Sequence, residues 1–462
     1  MATTAVLTGR STGERYQGQP GAALAAAAAY RDRDLRALRE WLAIPSVSAD
    51  PRCAPAVTRA ADWLAGRLRE AGARVCRIPT GGGPDVVVGE VAADRPGRPV
   101  VLVYGHYDVR PAGRGWTSPA FTPTRRGGLL YARGSNDDKG QLFAHVAALH
   151  AWCRTGRPPV GVTVVAEGAE EIGSPGFEVA MTRLRARLRP DVVLVSDTER
   201  ADGRTPAVVL SQRGQLSLEI RVHAGGPAVH AGRLGGVVVD PCAVLVAVLA
   251  SVRRGLSAWA PPANFPAALP VVRRTDAELV RAARGRAVVG TRLDHRLTHR
   301  AAVSITDLRA GDSSGAAPAA CWARLDIRVP PGREPRHVLT EVRRVVGATA
   351  PPRVRVDVRA LSAHRGSVLS PPTWVRSALA AASRVGFGRP PVYVRSGGSI
   401  PAVAMLQTVF GRDPVLLGLG SPAGNAHGPQ EHLDLPGWNR AVRMSVALLA
   451  TLGDAAADGR RR

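Results

Sequence analysis

The sequence predicts an α/β domain interrupted by a smaller α+β module. Two textures point to it. Up to about residue 212, short β-branched runs bounded by Gly and Pro alternate with segments of helical periodicity, the pattern of strands joined by crossover helices. Between 213 and 361 the runs alternate apolar with polar residues, as in a sheet with one wet face, and after 362 the first texture returns. The expected divisions are a flexible tail at 1–21, a first domain split into 22–212 and 362–454, the inserted module at 213–361, and a second tail at 455–462. A chain of 462 residues is long enough for two or three such units, each with its own core.

In chain order, Leu35, Leu38, Trp41 and Leu42 recur at helical spacing and predict a helix over 22–42 that ends at Ile44-Pro45. An amphipathic helix over 56–71 comes next, then strands at 74–78, 85–91 and 100–104. The last strand delivers Gly105-His106-Tyr107-Asp108-Val109-Arg110-Pro111 to its end, where open α/β sheets place ligands. The turn Arg133-Gly-Ser-Asn-Asp-Asp-Lys-Gly140 then sets adjacent carboxylates, Asp137 and Asp138, ahead of an apolar helix from Gln141. Strands at 160–166 and 191–196 run into Glu170-Glu171 and Asp197. In the module, 215–222, 323–329 and 354–358 read as strands, and 241–252 and 335–346 as helices. The closing part has a helix at 373–385, a strand near Val392, the loop Ser396-Gly397-Gly398-Ser399-Ile400-Pro401 and an apolar run at 414–419. Asn425-Ala426-His427 and a helix to about Leu452 complete it.

Composition narrows the function. The net charge of +25 raises nucleic acid or an anionic membrane as partners, but the arginines are scattered and aromatic residues make up only 4%, too few for a base-stacking platform. The alanine run at 22–29 quickly meets Arg31-Asp32-Arg33-Asp34 and is neither a signal core nor a membrane span. Neither nucleic acid nor membrane is therefore expected. Cys53, Cys76, Cys153, Cys242 and Cys321 are odd in number and far apart, which suggests reduced thiols in the cytoplasm and no thiolate zinc site. Of the 62 basic residues, Lys139 alone is lysine, so its position appeals to a compact ammonium rather than a guanidinium.

The residues at element ends are His106, Asp108, Asp137, Glu170, Glu171, Asp197 and His427. Singly, each fits a helix cap or a solvated acid. Jointly, imidazole and carboxylate without thiolate suit zinc, with manganese or cobalt as rivals. Five such ligands can hold two ions if one carboxylate bridges, and two ions sharing a water are suited to amide or ester hydrolysis. Of the adjacent acids Glu170 and Glu171, expected to point different ways off a strand end, one can ligate while the other stays free as general base.

These motifs, with Glu170-Glu171-Ile172-Gly173-Ser174 and Val195-Ser196-Asp197, resemble those of the dinuclear metallopeptidase family of carnosinase, the bacterial dipeptidases, glutamate carboxypeptidase and aminoacylase, in order along nearly the whole chain. The resemblance implies a three-layer αβα catalytic domain with a mixed sheet and a ferredoxin-like lid and dimerisation module. It implies two divalent ions, with His106 and Asp197 on one, Glu171 and His427 on the other, Asp137 bridging, and a cis peptide between Asp137 and Asp138. Asp108 would orient His106, and Glu170 would be the general base. In a homodimer His230 would reach the partner's site and stabilise the oxyanion. Arg328 would clamp the substrate carboxylate, with Gly398 and Ser399 lining the pocket.

Three positions depart from the family pattern: Ser396 where a Glu is usual, Gly315 for a Thr or Asn, and Ala231 for a Ser. All bear on specificity, and none is a metal ligand. The expectation is a cytoplasmic hydrolase of a dipeptide or N-acyl amino acid. Alternatives are amide trimming or formation in a biosynthetic pathway, or a non-catalytic dimeric binding protein of the same fold.

Overall fold

The computed structural model describes residues 19–263, 265, 270–283, 285–311 and 316–459. Most of the expected N-terminal tail, Gly315 and residues 460–462 lie outside them. The chain forms two compact units, Met1–Ala207 with Pro371–Pro391 and Val415–Arg462, and Val208–Ser370 with Val392–Pro414.

In the first unit six strands lie in the order Arg74–Ile78, Val86–Val91, Gly161–Glu167, Val100–His106, Val192–Val195, Val415–Gly418. The first two pairings are antiparallel and the other three parallel, which makes the sheet mixed. Val100–His106 and Gly161–Glu167 are buried almost throughout, as strands covered by helices on both faces must be. Register then does the positioning. His106 pairs with Glu167, Tyr104 with Val195, and Val195 with Leu416, so the parallel strands end at one edge of the sheet and release their loops there. Gly105 allows the helix Lys139–Thr155 to approach, because a Cβ there would stand 2.6 Å from Asp138 Oδ2 and 2.9 Å from Leu142 Cβ.

The helix expected over 22–42 is two helices, Gln19–Ala29 and Arg31–Leu42, broken at Tyr30. The first helix buries Ala23 and Ala27 and the second Leu38, Trp41 and Leu42, with the turn at Tyr30 between them. The last helix, Leu435–Gly459, continues past residue 454. A small sheet of Thr124–Arg126, Leu129–Tyr131 and His432–Asp434 brings the chain after His427 beside the chain before Arg133.

The second unit contains a four-stranded antiparallel sheet in the order Ala302–Ala310, Ala320–Val329, Gly214–His223, Arg355–His364. With the helices Pro241–Ser257 and Pro335–Thr349 the chain order is βαββαβ, the ferredoxin-like arrangement. Leu216, Leu218, Ile220 and Val222 alternate into a core with Val248, Val252, Val338 and Val342. Ala302–Ala310 is an edge strand exposed at Ile305 and Leu308, which is why its residues show no clean alternation in the sequence.

Candidate metal centre

The sheet edge of the first unit gathers His106, Asp137, Glu171, Asp197 and His427 into two groups, His106 with Asp137 and Asp197, and Asp137 with Glu171 and His427. Within each group the ligand atoms lie within 4.8 Å of one another, and Asp137 belongs to both. Its Oδ1 is 3.1 Å from His106 Nε2 and its Oδ2 is 3.0 Å from His427 Nε2. His106 Nε2 lies 3.9 Å from Asp197 Oδ1, and His427 Nε2 lies 3.2 Å from Glu171 Oε2. The Asp137–Asp138 peptide is cis.

Asp108 sits beneath this layer. Its carbonyl oxygen is 3.0 Å and its Oδ1 3.3 Å from His106 Nδ1, so Nδ1 is engaged from behind and Nε2 is turned toward the centre. The same carboxylate accepts from Ser48 Oγ at 2.6 Å and from the amides of Glu170 and Glu171, both at 3.2 Å. It therefore aims an imidazole ligand and a carboxylate ligand at once. Glu170 and Glu171 lie on a 3-10 turn, Glu170–Ile172, beyond the strand end rather than on the strand. The turn separates them: Glu171 joins the metal-ligand group and Glu170 does not.

Charge decides what such a cluster can hold. Burial would raise the Asp137 carboxyl, but hydrogen bonds from His106 and His427 hold it well below the usual carboxylate range. Burial and the negative charges of Asp137 and Asp138 push the Asp197 carboxyl far up. Burial, reinforced by the Glu171 and Asp137 charges, raises Glu170 to about 8. Hydrogen bonds to Asp137 and Glu171 raise His427 to about 10. Carboxylates this crowded stay together only by taking up protons or a cation, and an imidazole–carboxylate donor set with one shared oxygen pair fits a pair of divalent ions.

Sequence reasoning missed Arg110, whose Nε is 2.7 Å from Glu171 Oε2, and Ser48. Arg110 lies inside the His106 motif, so its place was visible although its partner was not. His230, Arg328, Gly398 and Ser399 belong to the second unit. There, His230 is exposed and caps the short helix Ala231–Leu234 by accepting from the Gly232 amide at 3.1 Å. Arg328 Nε is 2.8 Å from Asp326 Oδ1, and its Nη1 donates to Ser399 Oγ at 3.3 Å. Ser399 donates in turn to the Arg213 carbonyl at 2.6 Å, while Arg213 Nε donates to the Gly397 carbonyl at 3.0 Å. Asp326 and Arg213 were also missed, being ordinary strand and loop charges in the sequence.

Known proteins resemble this chain over most of its length. The chain is 27% identical over 450 residues to the Cys-Gly metallodipeptidase dug1 of Schizosaccharomyces pombe, covering 90% of this chain and 94% of that protein. It is 27% identical over 441 residues to the cysteinylglycine-S-conjugate dipeptidase of Corynebacterium striatum, covering 92% and 96%. The fold matches the crystal structure of human carnosine dipeptidase 1 with a TM-score of 0.81 at 24% identity, over 95% of this chain and 99% of that one. The model of peptidase family M20/M25/M40 matches residues 102–451, and the chain belongs to that metal-dependent hydrolase family.

Proposed function

We propose that this chain is a dinuclear dipeptidase that hydrolyses the amide bond of a dipeptide or N-acyl amino acid bearing a free carboxylate. The observation that carries the reading is the position of Asp137, shared by two ligand groups at one strand edge. Bound between His106, Asp137 and Asp197 and between Asp137, Glu171 and His427, two divalent ions, most suitably Zn(II) with Mn(II) or Co(II) as alternatives, would acidify a water towards a pKa of roughly 7 and polarise a carbonyl.

The protein's own groups do the rest. Glu170, outside both ligand groups and raised by burial, is suited to take a proton from the attacking water and hand it to the departing amine. Asp108 keeps His106 and the Glu170–Ile172 turn in register with each other. By the motif resemblance, Arg328 holds the substrate carboxylate, Gly398 and Ser399 line its pocket, and His230 stabilises the oxyanion in the partner subunit of a homodimer built on the 213–361 module. Relatives named for Cys-Gly and β-Ala-His support a dipeptide. Ser396, in place of an acid that would suit a free amine, supports an acylated amino end. The five cysteines are all free, in keeping with the cytoplasm, and no helix among the described residues is long and apolar enough to cross a membrane.

A panel of dipeptides, including Cys-Gly and β-Ala-His, and of N-acyl amino acids, assayed with Zn(II), Mn(II) and Co(II), tests the reading. At least one member should be cleaved to its two halves with metal and left intact after chelation. Protein that holds both ions yet cleaves nothing in the panel would remove the substrate assignment.

A further inference from the structure

We propose that the buried pair Arg133–Glu431 couples the two metal-ligand loops, so that the second metal equivalent binds tightly only while the pair is intact; this rests on the two-ion reading above. Glu431 follows His427 by four residues and is wholly enclosed. Its Oε1 accepts the amides of Asn136 at 2.9 Å and Asp137 at 3.1 Å. Its Oε2 accepts the Gly134 amide at 3.1 Å and Arg133 Nη1 at 2.6 Å. One carboxylate therefore organises the stretch 133–137, and one of its bonds falls on the amide of the bridging aspartate itself.

Arg133 carries the link onward. Its Nη2 donates to the carbonyls of Pro111 at 3.2 Å, Ala112 at 3.3 Å and His427 at 3.2 Å. The three contacts tie the loop after His106 and the loop bearing His427 to the loop bearing Asp137. The His427 loop has need of such a tie. Asn425, His427 and Gln430 adopt φ of 53°, 63° and 59°, a left-handed conformation that non-glycine residues resist and that persists only when surroundings hold it. The His427 side chain is 51% exposed, so its own packing does not hold it. Arg133 and Glu431, 2% and 0% exposed, are the rigid part. Enclosed in this way, they act through the loops rather than on a bound molecule, as positioning residues of the kind that tune metal affinity from behind the ligands.

The test uses the full chain, freed of metal and titrated with zinc by calorimetry, with cobalt(II) absorption as a second readout. Arg133→Lys keeps a charge for Glu431 but cannot span to the His427 carbonyl. The first zinc equivalent should bind within about threefold of wild type and the second about 10–100-fold more weakly. Glu431→Gln, which presents donors to donors, should weaken both equivalents because Asp137 is shared. Arg200→Lys is the control for mere destabilisation. Arg200 is equally buried, pairs with Asp434 and donates to the Leu419 carbonyl, and touches none of the ligand residues. Its variant should lose thermal stability and bind both equivalents as wild type does. If Glu431→Gln does not fold, Arg133→Lys decides alone. Two equivalents at wild-type affinity in Arg133→Lys, or the same selective loss in Arg200→Lys, overturns the proposal. Fewer than two equivalents on wild type overturns the two-ion reading first, and the coupling with it.

Discussion

Glu170 and Lys139 show how much a single side chain can be asked to explain. Glu170 lies outside both candidate ligand groups, so on the proposed base role Glu170→Gln should keep both metal equivalents while kcat falls by about 10²–10⁴. Metal analysis beside steady-state kinetics checks this, and near-normal turnover in a loaded variant would take the base role away. Lys139 is completely enclosed, with Nζ 3.1 Å from the Trp41 carbonyl, 3.0 Å from the Ile44 carbonyl and 5.6 Å from the Trp41 ring centre. It adds a charged donor to two carbonyls at and just past the end of the helix Arg31–Leu42, which also accept from the amides of Ile44 and Ser46. A bulkier guanidinium there would have to displace its neighbours. Lys139→Arg should lower unfolding free energy by about 1–3 kcal/mol in urea titrations, and an unchanged midpoint would mean the site is roomier than it looks. In the sequence the candidate metal ligands and Lys139 stand out locally, as paired acids, a strand-end imidazole or the lone lysine. The sequence hid Arg133 with Glu431, since partners 298 residues apart leave no local pattern.

At the scale of elements, the helix Lys139–Thr155 is tuned by a histidine the chemistry does not use. His145 is buried, its Nε2 2.8 Å from Ser196 Oγ and its Nδ1 3.0 Å from Ser445 Oγ. Burial lowers its pKa to about 4 from the ordinary 6.5. The unfolded chain therefore binds the proton first as pH falls. The stabilisation is complete above 6.5 and is lost between 6.5 and 4, at about 1.4 kcal/mol per pH unit. Between pH 7 and pH 5, urea unfolding of chelated protein should show His145→Gln losing about 2 kcal/mol less stability than wild type over the same interval. A variant with the full drop would shift the cause elsewhere. The strands and helices that build the sheet edge were legible because burial on both faces writes continuous apolar runs. The break at Tyr30, the 3-10 turn at Glu170–Ile172 and the edge strand Ala302–Ala310 were not. Short turns lack periodicity, and an exposed edge lacks alternation.

For the whole molecule, ions bound at this centre should act as part of the fold, because without them Asp137 and Asp197 share only the His106 imidazole, 3.1 Å from one and 3.9 Å from the other. Chelation should lower the thermal midpoint by about 5 °C or more, restored by zinc, since ligand at 100-fold over Kd contributes about 2.7 kcal/mol per site. A midpoint indifferent to chelator would mean that the carboxylates are accommodated by protons alone. The change of texture near residue 212 gave the expected module 213–361, whereas the second compact unit runs Val208–Ser370 with Val392–Pro414. The central claim is that Asp137 stands between two ions. An anomalous difference map at the zinc edge from crystals grown with zinc tests it most directly. The account predicts two peaks about 3.5–4 Å apart on either side of the Asp137 carboxylate. A single peak, or zinc bound away from Asp137, would contradict it.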